Sequence, residues 1–153
     1  MEPLLGYRAW RADRDGRLCS LRVDGVWWEP GVVMEATCPR PVHRFDELGI
    51  GPAPHAQNHP CGWHAFARLD DLLADKRGTS EPSDMLGFTV VHGIVEGGGR
   101  TQEHEHGWRS QYALPVAIIR YVPDDPAIRS QVLLAQYAAS ERYGIDLIDP
   151  KDA

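Results

Sequence analysis

The chain has 153 residues, of which 42% are hydrophobic and 25% charged, which fits one globular domain and excludes a wholly disordered chain. Its 16 Lys and Arg residues are scattered, and 22 Asp and Glu give a net charge of −6, so we expect no nucleic-acid binding. Because it contains neither eighteen consecutive apolar residues nor a signal-peptide pattern, we expect a cytoplasmic protein with no membrane partner.

The first part of the chain alternates short strand patterns with turn residues. Residues 6–12 and 17–23, separated by turn residues 13–16, predict a β-hairpin. The segment VWWEPGVVMEATC predicts a short strand on each side of its Pro-Gly turn. Its paired Trp27 and Trp28 predict one ring in the core and one at the core's edge, with an exposed interface patch as the alternative.

The middle of the chain changes composition. Residues 39–60, rich in Pro and His, predict a long irregular loop inside a single domain that spans residues 1–153. The segment CGWHAF can begin as a strand, but from Ala65 the apolar residues fall at helical spacing and predict a short helix that ends near Gly78. Residues 75–84 predict a polar linker.

The second half predicts more strands and then a long helix. Residues 85–95 are rich in strand formers, GGG at 97–99 predicts a turn, and residues 100–109 and 112–122 predict two further strands. Capping aspartates, Pro126 and Gly144 bound the helix, and residues 145–153 predict a tail. The fold class is therefore α+β, with a mainly antiparallel sheet of about five or six strands, one short middle helix and one long C-terminal helix.

A cluster of Cys and His residues in the middle of the chain predicts a structural zinc site. Zinc takes thiolate and imidazole ligands in a tetrahedral shell. The candidate ligands are Cys38, His59 and Cys61 with one of His43, His55 and His64 as the fourth. The alternative is that the cysteines are small buried apolar residues and the histidines decorate a loop.

Cys61 also has an interpretation as a nucleophile. It precedes the predicted middle helix, where the helix dipole favours a thiolate, and His92, His104 or His106 could act as its base. The stretch CGWHA resembles the C-x-W-x-A segment of bacterial cysteine amidases of the CHAP type. That resemblance implies a Cys/His hydrolase or amidase, whereas an inert thiol packed at a strand–helix junction is the alternative.

The run TQEHEHGWRSQYA holds a second cluster of candidate site residues. On an extended strand, Glu103 and Glu105 would share one face and His104 and His106 the other. Neighbouring carboxylates hold protons more tightly, and paired histidines can chelate a metal ion. The alternative is an exposed edge strand that its charges protect from aggregation.

Motifs along nearly the whole chain resemble those of a group of small uncharacterised bacterial proteins, seen mostly in actinobacteria. The shared motifs in this chain are GYRAW at 6–10, Cys38, HPCGWHA at 59–65, the valines at 91–95, Gly99 and EHEHGWRS at 103–110, then Ala113 and Pro115. The family carries a C-x-C motif where this chain has His59 and Cys61. An exchange between two zinc-ligand types favours the metal interpretation. The resemblance implies no particular activity.

The order of motifs is also similar to that in ADP-ribosyltransferases, which use a nicotinamide dinucleotide. That similarity implies that Arg8 holds the dinucleotide, that Trp63 or His64 stacks on nicotinamide, and that Glu103 or Glu105 orients the nucleophile.

These observations give one leading hypothesis and two alternatives. The leading hypothesis is a small ligand- or partner-binding protein, with a zinc at Cys38, His59 and Cys61 and with His55 as fourth ligand. Its predicted binding surface comprises Arg8, Trp63, His64, Glu103, His104 and Arg109. The alternatives are an ADP-ribosyltransferase-like enzyme on the same surface and a Cys61 hydrolase.

Overall fold

The structure is a computed structural model and describes residues 3–21, 26–36, 62–74 and 89–153. The strands within these ranges are β1 (Leu4–Ala12), β2 (Leu18–Ser20), β3 (Trp27–Trp28), β4 (Met34–Glu35), β5 (Trp63–Phe66), β6 (Thr89–His104), β7 (Gly107–Ile119) and β8 (Asp146–Ile148). The helices are α1 (Leu69–Ala74), α2 (Pro126–Tyr143) and a short 3-10 helix (Pro150–Asp152). In the described residues, a mostly antiparallel sheet with two α-helices confirms the predicted class, although its eight strands exceed the five or six expected.

Four of the strands pair in a closed circuit. β1 pairs with β6 along its whole length and with β5 through Tyr7 and Phe66. β5 pairs with β7, and β7 pairs with β6, which closes the circuit. β2 and β3 extend the sheet beside β1, whereas β4 and β8 lie beside β7, and the β7–β8 pairing is parallel. The circuit gives the sheet an inner face that large side chains fill.

Tryptophan rings fill much of that inner face, and glycines make room for them. Trp10 and Trp108 are buried within the core cluster. A Cβ on Gly97 would lie 2.6 Å from the Trp108 ring, and a Cβ on Gly6 would lie 2.7 Å from its Nε1. The same Nε1 donates a hydrogen bond to the backbone oxygen of Leu5 at 3.1 Å. The absence of side chains at Gly6 and Gly97 therefore allows the Trp108 indole to pack directly against the backbones of β1 and β6.

The long helix α2 begins and ends where the sequence predicts. The Asp125 side chain accepts a hydrogen bond from the Ala127 backbone N–H at 2.9 Å, and Pro126 occupies the first helical position. Gly144 has a φ of 62°, the left-handed conformation that commonly ends a helix. Near that end, the Tyr143 hydroxyl is hydrogen-bonded to backbone groups of β2 and β3, which fixes α2 against the sheet.

The predicted turn at residues 97–99 is wrong. β6 continues through these glycines to His104, with a register shift against β7 after Gly98 and a φ of 72° at Gly99. A shift of this kind is a β-bulge, which strengthens the local twist without ending the strand. The turn lies instead at Glu105 and His106, so the two strands predicted at 100–109 and 112–122 belong to one long β6–β7 hairpin.

Two other boundaries also differ from the sequence prediction. Ala65 and Phe66 lie in β5, so the middle helix begins at Leu69 and not at residue 65. Residues 145–153, predicted as a tail, include β8 and the 3-10 helix. The first hairpin is confirmed, with its second strand at 18–20. The predicted loop at 39–60 and linker at 75–84 lie outside the described residues.

Candidate functional site

Arg8 lies among tryptophan rings at the inner face of the sheet. Its guanidinium carbon is 5.1 Å from the centroid of the Trp28 ring and 5.5 Å from that of Trp63. Both distances are within the range in which a cation is attracted to the face of an aromatic ring. We call Arg8, Trp28 and Trp63 the arginine–tryptophan site.

Hydrogen bonds to acceptors on β2, β4 and β5 fix the orientation of this site. Arg8 donates from Nη1 to the backbone oxygen of His64 at 2.8 Å. Trp28 donates from Nε1 to the Ser20 hydroxyl at 3.0 Å, and Trp63 donates from Nε1 to the backbone oxygen of Met34 at 3.0 Å. The guanidinium and both indoles are therefore each held by a directional bond as well as by packing.

The tryptophan rings of the site also contact one another, and they range from fully buried to partly exposed. The Trp28 ring packs edge-on against Trp10, at 5.6 Å between centroids, and in a tilted arrangement against Trp63, at 4.6 Å. Trp10 and Trp28 are 0% and 2% exposed, whereas Trp63 and Arg8 are partly exposed. The site is thus anchored in the core and reaches the surface through Arg8 and Trp63.

Part of the predicted binding surface lies on the opposite face of the sheet. His64 is paired with Arg109, and Arg109 with Gln102, so their side chains share the face opposite to that of Trp63. Arg109 is buried and donates from Nε to the Gln102 side-chain oxygen at 2.9 Å. The structure therefore does not unite the six predicted residues on one surface.

The Glu103–His106 run is only partly extended. Glu103 and His104 end β6, whereas Glu105 and His106 form the hairpin turn, so the predicted alternation of faces fails after His104. The His106 backbone N–H donates to Nδ1 of His104 at 3.3 Å, which places the proton of the neutral imidazole on Nε2. Partial burial lowers the pKa of His104, and the positive fields of His106 and Arg109 lower it further.

Glu103 is exposed near the end of β6, on the same face of the sheet as Trp108. It is paired with Trp108, which in turn is paired with Ala65, two residues beyond Trp63 on β5. Glu103, Trp63 and Arg8 therefore share a face by register, with the Trp108 indole filling the space over Gly6.

The predicted zinc ligands Cys38, His55, His59 and Cys61 lie outside the described residues, and so does Cys61 as a nucleophile. In residues 3–21, 26–36, 62–74 and 89–153, no three His, Cys, Asp or Glu side chains are grouped so as to hold a metal ion. Zinc binding stays a prediction, which native mass spectrometry with and without a chelator would test.

Sequence reasoning missed Trp28 of the arginine–tryptophan site and its hydrogen-bond partner Ser20. The Trp27–Trp28 pair was correctly predicted to place one ring in the core, because Trp28 is buried and Trp27 only partly so. The pattern did not indicate that the buried ring would contact Arg8. Ser20 carries no local signal, since its contact with Trp28 arises from the pairing of β1, β2 and β3.

Comparisons of the chain with protein-family models, with curated proteins and with solved structures give no match. None of the helices in the described part of the chain is both long enough and apolar enough to cross a membrane.

Proposed function

We propose that this protein binds a small anionic molecule at the arginine–tryptophan site. The observation that carries the proposal is a guanidinium held against two indole rings and reaching the surface beside one of them. A planar guanidinium matches the geometry of carboxylate and phosphate oxygens, and its weak hydration lowers the cost of contact with an anion. The partly exposed Trp63 supplies adjacent apolar surface.

The rigidity of the site favours binding over a purely structural role for Arg8. Bonds to backbone oxygens fix Arg8 and Trp63 before any ligand arrives, so little side-chain entropy is lost on binding. A second Arg–Trp pair supplies a contrast: Arg17 lies 4.5 Å from the Trp27 ring centroid but forms an ion pair with Asp13 at an exposed turn. This pair is the matched control.

The experiment is a titration of tryptophan fluorescence with four probes: inorganic phosphate, benzoate, adenosine monophosphate and a nicotinamide dinucleotide. We expect saturable binding of at least one probe. Arg8→Gln should weaken it roughly 10- to 100-fold, since a hydrogen bond to a charged group contributes about 1.5–3 kcal/mol. Arg8→Lys keeps the charge but loses the planar fork, and should weaken binding to an intermediate extent.

The matched variant Arg17→Gln should bind the same probe as the wild type does. Circular dichroism of each variant checks that the fold is retained. The proposal is wrong if no probe binds at millimolar concentration, or if folded Arg8→Gln and Arg8→Lys both bind as tightly as the wild type.

The transferase alternative has one observation in its favour, which is the shared face of Arg8, Trp63 and Glu103. Its test is release of nicotinamide from the dinucleotide. Turnover should be lost in Glu103→Gln and retained in Glu105→Gln, because Glu105 lies in the hairpin turn. Absence of nicotinamide release from the wild type would exclude this alternative and leave the binding proposal standing.

A further inference from the structure

The buried hydroxyl of Ser20 lies at the junction of the arginine–tryptophan site. Ser20 is 4% exposed, and its Oγ accepts a hydrogen bond from Nε1 of Trp28 at 3.0 Å. Nη2 of Arg8 lies 3.5 Å from the same oxygen. A serine hydroxyl has two acceptor lone pairs, so one oxygen can receive both donors.

Ser20 therefore acts on the guanidinium along two routes. The first route is the direct contact between Ser20 Oγ and Nη2 of Arg8. The second route is indirect: the hydrogen bond to Ser20 sets the orientation of the Trp28 ring, and the Arg8 guanidinium packs on that ring. The bond from Nη1 to the His64 oxygen holds the opposite side of the guanidinium. Two separated anchors fix the plane of the group, and that plane decides which direction an oxyanion must approach from.

Trp63 indicates what the rest of the ligand is. Its indole is fixed by the bond to the Met34 oxygen, packs against Trp28 on one side and is partly exposed. A flat aromatic ring is the chemical group that stacks on such a surface. Because the Arg8 guanidinium lies close to the Trp63 ring, the negative group of the ligand must lie close to the ligand's aromatic ring.

We infer that the site selects a planar aromatic ring carrying an oxyanion, and that Ser20 is the residue that positions Arg8 to recognise the oxyanion. This inference rests on the proposed function, because it assigns roles within the same site. Adenosine monophosphate and adenosine are suitable probes, since they share the ring and differ in the phosphate. The ratio of their affinities measures recognition of the oxyanion separately from stacking.

The variants are Ser20→Ala, which removes the acceptor, and Ser20→Cys, which keeps the shape but accepts hydrogen bonds weakly. We expect the wild type to bind adenosine monophosphate at least about 10-fold more tightly than adenosine. Ser20→Ala should reduce that ratio about 3- to 10-fold with little change for adenosine, and Ser20→Cys should reduce it less.

A serine on the long helix supplies the control. Ser140 is partly buried on α2, and its hydroxyl donates to the backbone oxygen of Ile145 at 2.6 Å. Ser140→Ala should lower the melting temperature and leave the affinity ratio unchanged, since its role is structural. A ratio in Ser20→Ala and Ser20→Cys equal to that of the wild type would overturn the inference while the proposed function stands.

The remaining outcomes separate the two proposals. If the wild type binds both probes equally through a site that Arg8→Gln abolishes, the oxyanion selectivity is wrong but binding at this site is supported. If the wild type binds neither of these two probes, the inferred ligand class is wrong. The proposed function then falls as well unless phosphate, benzoate or the dinucleotide binds in an Arg8-dependent way.

Discussion

The Tyr143 hydroxyl is the contact whose removal we expect to destabilise the fold most clearly. It accepts a hydrogen bond from the Leu18 backbone N–H at 2.9 Å and donates one to the Trp28 backbone oxygen. Leu18 and Trp28 are 0% and 2% exposed, so Tyr143→Phe would leave a buried donor and a buried acceptor unmet. At about 1–3 kcal/mol for each group, the free energy of unfolding should fall by roughly 2–6 kcal/mol.

Urea unfolding at pH 7 followed by tryptophan fluorescence measures this loss. For a chain of this size, each kcal/mol corresponds to about 2–4 °C in the melting temperature, so thermal unfolding provides an independent check. The control is Tyr137→Phe on the same helix. Tyr137 is 55% exposed and its hydroxyl bonds the Glu141 carboxylate, so the control should change stability by less than about 0.5 kcal/mol. Equal effects of the two substitutions would refute the assignment of a bridging role to Tyr143.

The same hydroxyl gives stability a dependence on alkaline pH. Burial raises the pKa of Tyr143 above its usual 10.0, against the opposing effects of the Leu18 N–H and Arg142. Because the folded state then holds the phenolic proton more tightly than the unfolded state, the stabilisation is complete below pH 10 and is lost as the pH rises through the folded-state pKa. Since the bond to Glu141 also raises the pKa of Tyr137, the comparison is made in a Tyr137→Phe background. In that background, the free energy of unfolding of the Tyr143→Phe variant should fall less steeply above pH 10 than that of the protein that retains Tyr143.

Two further substitutions have internal controls. Gly97→Ala would place a Cβ 2.6 Å from the Trp108 ring and should cost about 1–3 kcal/mol in urea unfolding, whereas Gly98→Ala meets nothing within 4 Å and should be close to neutral. If Gly97→Ala left the free energy of unfolding unchanged, the Trp108 ring would not be packed against β6. Asp125→Ala removes the side-chain cap of α2 and should cost about 1 kcal/mol, whereas Asp124→Ala should change stability little. Equal losses in both aspartate variants would contradict the assigned cap.

Local sequence signals predicted the elements whose ends depend on neighbouring residues. Helix α2 was predicted from Asp125, Pro126 and Gly144, because caps and a left-handed glycine act within one turn of the chain. The first hairpin and the burial of one ring of the Trp27–Trp28 pair follow from turn chemistry and strand alternation, which are equally local.

Features that depend on pairing between distant segments were not predictable in this way. A run of three glycines suits a turn or a bulge, and the pairing of β6 with β7 on both sides of it makes it a bulge. The tail predicted at 145–153 becomes strand β8 because β7 offers it an edge.

The candidate site likewise combines residues that the sequence indicated with an arrangement that it did not indicate. At the level of sequence, Arg8 and Trp63 were singled out by a motif order similar to that in ADP-ribosyltransferases. Only the tertiary structure places them side by side, because β5 closes the sheet between β1 and β7. The same closure puts Trp28 under the guanidinium and turns His64 and Arg109 to the opposite face. A one-residue offset along a strand reverses the face that a side chain occupies, and only long-range register fixes that offset.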